Sequence, residues 1–252
     1  MLAGHVLPPQ AGSYWATDSV TDISQGPEWR IKSFVLRAGR MTDAQQRGFD
    51  EGWPLWGIDY RPELLDFDEL FGEVGERVLE IGFGMGQSLV DMAAARPATQ
   101  YLGVEVHRPG VGRLLHGALD RELSNIRVMC HDAVEVLENC IAAASLQRVQ
   151  IFFPDPWHKK RHNKRRLIRP EFTELLVSRL SPGGLIHLAT DWEPYAEQML
   201  EVLNDCPSLQ NCASDGRYVP RPEERPLTKF ELRGQRLGHG VWDLLYRRSS
   251  AP

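Results

Sequence analysis

Cysteine is scarce in this chain and never closely paired: Cys130, Cys140, Cys206 and Cys212 form no CxxC motif and no Cys/His cluster at zinc-ligand spacing. They read as reduced thiols of a cytoplasmic protein, with no metal. No apolar run approaches the roughly 18 residues of a membrane span, which excludes a membrane protein. The first residues, MLAGHVLPPQAGSYW, lack the basic and apolar regions of a secretory signal. Internal repeats are absent too.

What is there is an ordinary globular composition: 252 residues, 42% hydrophobic and 25% charged, enough for one α/β domain with extensions and a sizeable core. Charge is uneven. The chain holds 29 Lys+Arg against 34 Asp+Glu, yet residues 156–169 carry seven basic side chains (Lys159, Lys160, Arg161, Lys164, Arg165, Arg166, Arg169) and no acidic one. The remainder stands at −12, so the protein would not hold polyanions indiscriminately but offers one place for a phosphate backbone.

Residues 1–28 mix Pro, Gly, Ser, Thr and Asp without periodicity and are expected to be a mobile tail. Residues 29–72 form an N-terminal extension, with a basic, aromatic-containing stretch and a weak helix over 42–51. It suits packing on the main domain and contacting nucleic acid equally well. From 73 onward strand-length apolar runs alternate with amphipathic helical segments, the pattern of a doubly wound α/β domain over 73–252. Strands are expected at 77–81, 101–105, 126–130, 149–153 and 185–189. Helices are expected at 87–95, 109–122, 133–144, 170–180 and 194–204. The run 241–246 has no helix before it and is expected to be antiparallel.

The first strand runs into Glu80-Ile81-Gly82-Phe83-Gly84-Met85-Gly86-Gln87, a glycine-rich turn at the ligand-binding edge of such sheets. A dinucleotide fingerprint needs its third glycine where Gln87 stands, which argues against a nicotinamide cofactor. Glu80 at the strand tip would attract an ammonium or sulfonium and repel a pyrophosphate. Glu105 ends the second strand about 20 residues on, where a carboxylate grips ribose hydroxyls. Asp132 follows the third strand, and could meet an adenine amine or cap the next helix. As a set these residues fit a cationic nucleoside such as S-adenosylmethionine.

The fourth strand ends in Phe153-Pro154-Asp155-Pro156-Trp157, followed at once by the basic run. Two prolines restrain the backbone around Asp155, Trp157 offers a stacking face, and the cations offer phosphate contacts.

Residues 153–166, the loop 79–86, Gly103-Val104-Glu105-Val106-His107, Thr190-Asp191-Trp192-Glu193-Pro194-Tyr195, Thr228-Lys229-Phe230-Glu231 and Gly238-His239-Gly240-Val241-Trp242-Asp243 together resemble the bacterial tRNA (guanine-N7-)-methyltransferase family. The resemblance spans roughly 29–248. It implies a seven-stranded, mostly parallel sheet of the class I S-adenosylmethionine-dependent methyltransferase type, last strand antiparallel, and formation of 7-methylguanosine in the tRNA variable loop. It further implies that Glu80, Gly82, Gly84, Gly86, Glu105, Asp132 and Asp155 bind S-adenosylmethionine, with Asp155 also catalytic. Lys159, Asp191, Thr228, Lys229, Phe230 and Glu231 would bind substrate, and Arg161, His162, Asn163, Lys164, Arg165 and Arg166 would contact RNA. The partner would be tRNA, and the protein a cytoplasmic monomer or homodimer.

On the residues alone, Thr228 to Glu231 would be an inter-element loop, and Asp191 either a helix cap or an acceptor for the guanine N1–H and amine. His187 reads as structural or exposed, and Trp53, Trp56 and Trp192 as packing. Rival functions are methyl transfer to another acceptor, a nicotinamide oxidoreductase, and a non-catalytic RNA-binding scaffold.

Overall fold

The computed structural model of the chain describes residues 32–34, 40–227, 231 and 240–250. The expected tail, Arg30, Arg37, and the Thr228, Lys229 and Phe230 of the expected substrate stretch lie outside the described residues.

Strands β1 (Glu76–Ile81), β2 (Thr99–Val104), β3 (Ile126–Met129), β4 (Leu146–Phe152), β5 (Leu180–Thr190), β6 (Leu209–Asn211) and β7 (Trp242–Arg248) form one sheet in the order β3-β2-β1-β4-β5-β7-β6. The first five are parallel to one another, and β7 is antiparallel to both β5 and β6, as expected for the last strand. Alternation sorts the strands' side chains between two cores. Leu79, Ile81, Val149, Ile151, Ile186 and Leu188 face the layer of α5 (Ala133–Asn139), α6 (Pro170–Arg179) and α7 (Glu193–Asn204). Val78, Tyr101 and Val128 face α1 (Asp43–Trp56), α3 (Gln87–Ala95) and α4 (Arg108–Asp120).

Helix α1 begins with a capping box, Thr42 accepting from the Gln45 amide while Gln45 reaches back to Thr42. It crosses α4 with almost no side chain between the backbones. A Cβ on Gly48 would lie 2.4 Å from the Gly112 carbonyl oxygen, and one on Gly112 would lie 2.3 Å from that of Gln45. Phe49 and Trp56 complete the contact from α1, with Trp53 stacked on Phe49.

Several boundaries differ from the sequence reading. Helix α5 stops at Asn139, five residues early, because the chain must turn at Ala144 (φ 54°) to begin β4 opposite Leu180. Strand β5 starts five residues early and accommodates Pro182 and Gly183 through a register shift. Three short elements had no periodic signal: α2 (Phe67–Phe71), β6, and a 3-10 helix over Lys160–Arg165. No described helix is long and apolar enough to cross a membrane.

Candidate active site

The carboxyl ends of β1, β2, β3 and β4 bring together the groups singled out above. Gly82, Gly84 and Gly86 all adopt left-handed φ (72°, 58° and 73°), which lets the chain leave β1 and start α3 within five residues. Helix α4 closes against this turn: a Cβ on Gly110 would lie 2.0 Å from the Gly84 carbonyl oxygen.

Glu80 is 2% exposed. It lies opposite Gln150 in the β1–β4 register, and the Gln150 amide donates to its carboxylate at 2.8 Å. Burial pushes the Glu80 carboxyl up to about 7, against the pull of that hydrogen bond, with the Glu105 charge adding to the rise. The ionised form of such a carboxylate would be stabilised by a cation brought beside it.

Glu105 also organises the loop. One carboxylate oxygen accepts from the Gly84 amide at 2.8 Å, and the other from the Val106 and His107 amides at 2.7 and 3.0 Å. The glycine turn is thereby tied to the tip of β2. Asp132 caps α5, accepting from the Val134 amide at 2.9 Å with one oxygen, so the capping alternative is realised. Burial raises its carboxyl above the usual range. Beside it, Tyr60 from the N-terminal extension stacks on His131 at 3.7 Å between centroids.

The β4 tip is strained. Phe153 (φ 53°) and Trp157 (φ 47°) both hold left-handed backbone around Pro154-Asp155-Pro156, at roughly 1–3 kcal/mol each. Asp155 sits on this arch with its side chain exposed. The stacking face foreseen at Trp157 is already engaged: the Arg165 guanidinium lies 5.1 Å from its ring centroid and its indole N–H donates to the Ser33 carbonyl.

The basic run divides into two populations. Lys159, Lys160, Arg161 and Lys164 are exposed, and His162, Asn163 and Arg165 half-buried. Arg166 turns inward instead of joining an RNA-facing array. It donates to the Pro156 carbonyl at 2.9 Å and to Gln198 at 2.5 Å, and it covers the Tyr195 ring. Its role in this geometry is to fasten the β4 tip to α7. Asp191 is exposed at the end of β5, where His158 packs edge-on against Trp192.

Glu231, expected to bind substrate, is buried in a bidentate pair with Arg225. Arg225 makes a second bidentate pair with Asp243 of β7, which His187 of β5 also touches at 2.8 Å. Arg225 and Gln150 were not singled out in the sequence, and Asp243 appeared only as the last residue of a motif carrying the resemblance, with no role attached.

The matches to known proteins agree with this geometry. A family model described as "Putative methyltransferase" covers residues 75–244. The tRNA (guanine-N(7)-)-methyltransferase of Ectopseudomonas mendocina is 62% identical over 218 residues, which is 86% of this chain and 92% of the relative. That of Pseudomonas aeruginosa PAO1 is 58% identical over 234 residues, 92% of this chain and 96% of the relative. The chain belongs to the tRNA (guanine-N7-)-methyltransferase family. A match over 92% of the chain necessarily takes in α1, although the family model starts only at β1. The fold is also that of the 16S rRNA methyltransferase KamB, at a TM-score of 0.55 and 16% identity over 74% of this chain and 95% of that one.

Proposed function

We propose that this family member transfers a methyl group from S-adenosylmethionine to N7 of a guanosine in the variable loop of tRNA, in the cytoplasm. One observation carries the reading: the buried, cation-seeking Glu80 and the loop-bound Glu105 share one sheet edge with the strained Asp155 arch and an exposed run of cations.

The residues fit the cofactor. Glu80 would face its ammonium, the bare Gly82–Gly86 backbone would let it approach, Glu105 would accept from ribose on the oxygen that otherwise takes only the Gly84 amide, and Asp132 would take the adenine side. When bound, S-adenosylmethionine supplies an electrophilic methyl on sulfur.

Guanine N7 presents an in-plane lone pair and no proton, so the protein needs alignment and electrostatics instead of a general base. Asp155 stabilises the positive charge that develops on the imidazole ring. Asp191 accepts from the guanine N1–H and amine, an edge adenine lacks. Lys159, Arg161, Lys164 and Arg165 hold backbone phosphates.

The test is methyl transfer from labelled S-adenosylmethionine to unmodified tRNA transcripts, followed by chain cleavage selective for 7-methylguanosine. The expected result is label at one variable-loop guanosine. Label elsewhere, or none with cofactor binding intact, would overturn the assignment.

A further inference from the structure

The two exposed carboxylates of the site, Asp155 and Asp191, sit on neighbouring segments that are tied together on either side of them. Ahead of both, the Phe153 amide just past β4 donates to the Ala189 carbonyl of β5 at 2.8 Å. Beyond both, the Arg166 guanidinium spans the gap. Its Nε donates to the Pro156 carbonyl at 2.9 Å, and its Nη1 to the Pro194 carbonyl at 3.3 Å and to Gln198 Oε1 at 2.5 Å. Residues 153–156 and 189–194 therefore form a closed frame with one carboxylate on each side.

The frame depends on that second tie. Phe153 (φ 53°) and Trp157 (φ 47°) hold left-handed backbone without glycine, so the arch between them would relax if released. Pro154 and Pro156 have no amide N–H with which to anchor it, which makes the Pro156 carbonyl a handle. Arg166 is placed to take it. The residue is 4% exposed, its guanidinium lies 4.7 Å from the Tyr195 ring centroid, and its own amide donates to the Asn163 carbonyl at 2.9 Å. Gln198 is oriented in turn, its amide nitrogen donating to the Ile168 carbonyl at 3.2 Å.

Resting on the reading that Asp155 faces the developing charge and Asp191 the guanine edge, we propose that Arg166 is a positioning residue for methyl transfer: it closes the frame and holds Asp155 at a set distance from Asp191. The planar guanidinium reaches both segments at once. Lysine, a point charge on a flexible stem, would keep the cation and lose one of the two ends.

The test measures single-turnover methyl transfer at saturating tRNA and S-adenosylmethionine, below the melting temperature of each variant. Arg166→Lys should lose about tenfold or more, since small misplacements of reacting groups are costly, with tRNA affinity and its salt slope near wild type. Added to Asp155→Asn or to Asp191→Asn, the same change should cost no more than about twofold, because residues that act as a unit are not additive. A merely structural Arg166 would lower the melting temperature and leave the rate of the folded protein intact, which overturns the proposal. A full loss repeated in either Asp background overturns it too, as does weaker tRNA binding at an unchanged rate. Wild-type rates in Asp155→Asn or Asp191→Asn would instead remove the reading on which it rests, and the proposal with it. Circular dichroism and S-adenosylhomocysteine binding check folding. If Arg166→Lys does not fold, Gln198→Ala, which keeps the cation and removes one acceptor on α7, should show a smaller loss with the same non-additivity, and an additive loss or none there overturns the role.

Discussion

Gln150 and Glu80 face each other across two parallel strands, and the 2.8 Å bond between them is the polar contact that accompanies Glu80 into a nearly dry interior. A neutral amide relieves part of the desolvation cost of a carboxylate but cannot neutralise it. Any cation brought beside Glu80 would therefore favour its ionised form.

This arrangement predicts proton release on cofactor binding. With the Glu80 carboxyl at about 7 in the free protein, much of it is protonated at pH 6, and an arriving cation favours the ionised form. Calorimetry at pH 6 in buffers of different ionisation enthalpy should show release approaching one proton per S-adenosylhomocysteine, fading by pH 8.5. Glu80→Gln should abolish the pH dependence and weaken binding. Release that persists in the variant would assign the proton to another group.

Folding stability carries the same signature with a definite sign. Because the folded pKa lies above the unfolded value of 4.5, ionising Glu80 disfavours the folded state, and stability falls as pH rises from about 4.5 through 7. The full effect is about 3 kcal/mol. Glu80→Gln should therefore gain stability over wild type in cofactor-free melts at pH 8 and lose that advantage at pH 5. A difference that does not change with pH would count against the raised pKa.

His187 acts in the opposite sense. Burial holds its pKa below the usual range despite the Asp243 carboxylate, so the folded state keeps it neutral, donating Nε2–H to Asp243. Its stabilising effect is complete above the unfolded value of about 6.5 and is lost as pH falls below it. Relative to wild type, His187→Gln should have a flatter denaturation midpoint between pH 7 and 5. Equal slopes in urea titrations would disprove the point.

The basic run should split experimentally as it does geometrically. Neutralising exposed Lys159, Arg161 and Lys164 should lower the slope of log K against log salt for tRNA by about 0.7–0.9 per lost contact, at unchanged melting temperature. Arg166→Gln should do the reverse, costing roughly 1–3 kcal/mol of stability through its lost buried bonds and leaving the slope near wild type. Filter binding across a salt series, with thermal melts, separates the two. Equal slope losses would mean that Arg166 faces RNA.

Asp155→Asn should retain cofactor and tRNA binding and lose about 10² to 10³ in kcat. Single-turnover rates at saturating tRNA make the measurement, and wild-type turnover would remove Asp155 from the chemistry.

Much of this was legible in the residues. The strand–glycine turn–helix junction announces itself because left-handed turns need glycine, and the alternation of apolar runs with helical segments gives a parallel sheet up to β5, though not the order of its strands. Arg225 was not legible because its two partners lie 6 and 18 residues away, and only the pairing of β7 with β5 brings them together. Arg166 was hidden for a different reason. A six-residue 3-10 segment has no amphipathic period, so nothing marks which of six neighbouring cations turns inward.

Helix α4 touches the N-terminal helix through Gly112 and the glycine turn through Gly110, two residues apart. One helix therefore bears on both the extension and the carboxyl edge of the sheet, and a cut at residue 75, where the family model begins, should destabilise both. Removing α1 would strip cover from Val111 and Leu115 and free the very helix against which the glycine turn is braced. The extension thus braces the carboxyl edge of the sheet from two sides, through α1 beneath α4 and through the Ser33 carbonyl that takes the Trp157 indole N–H.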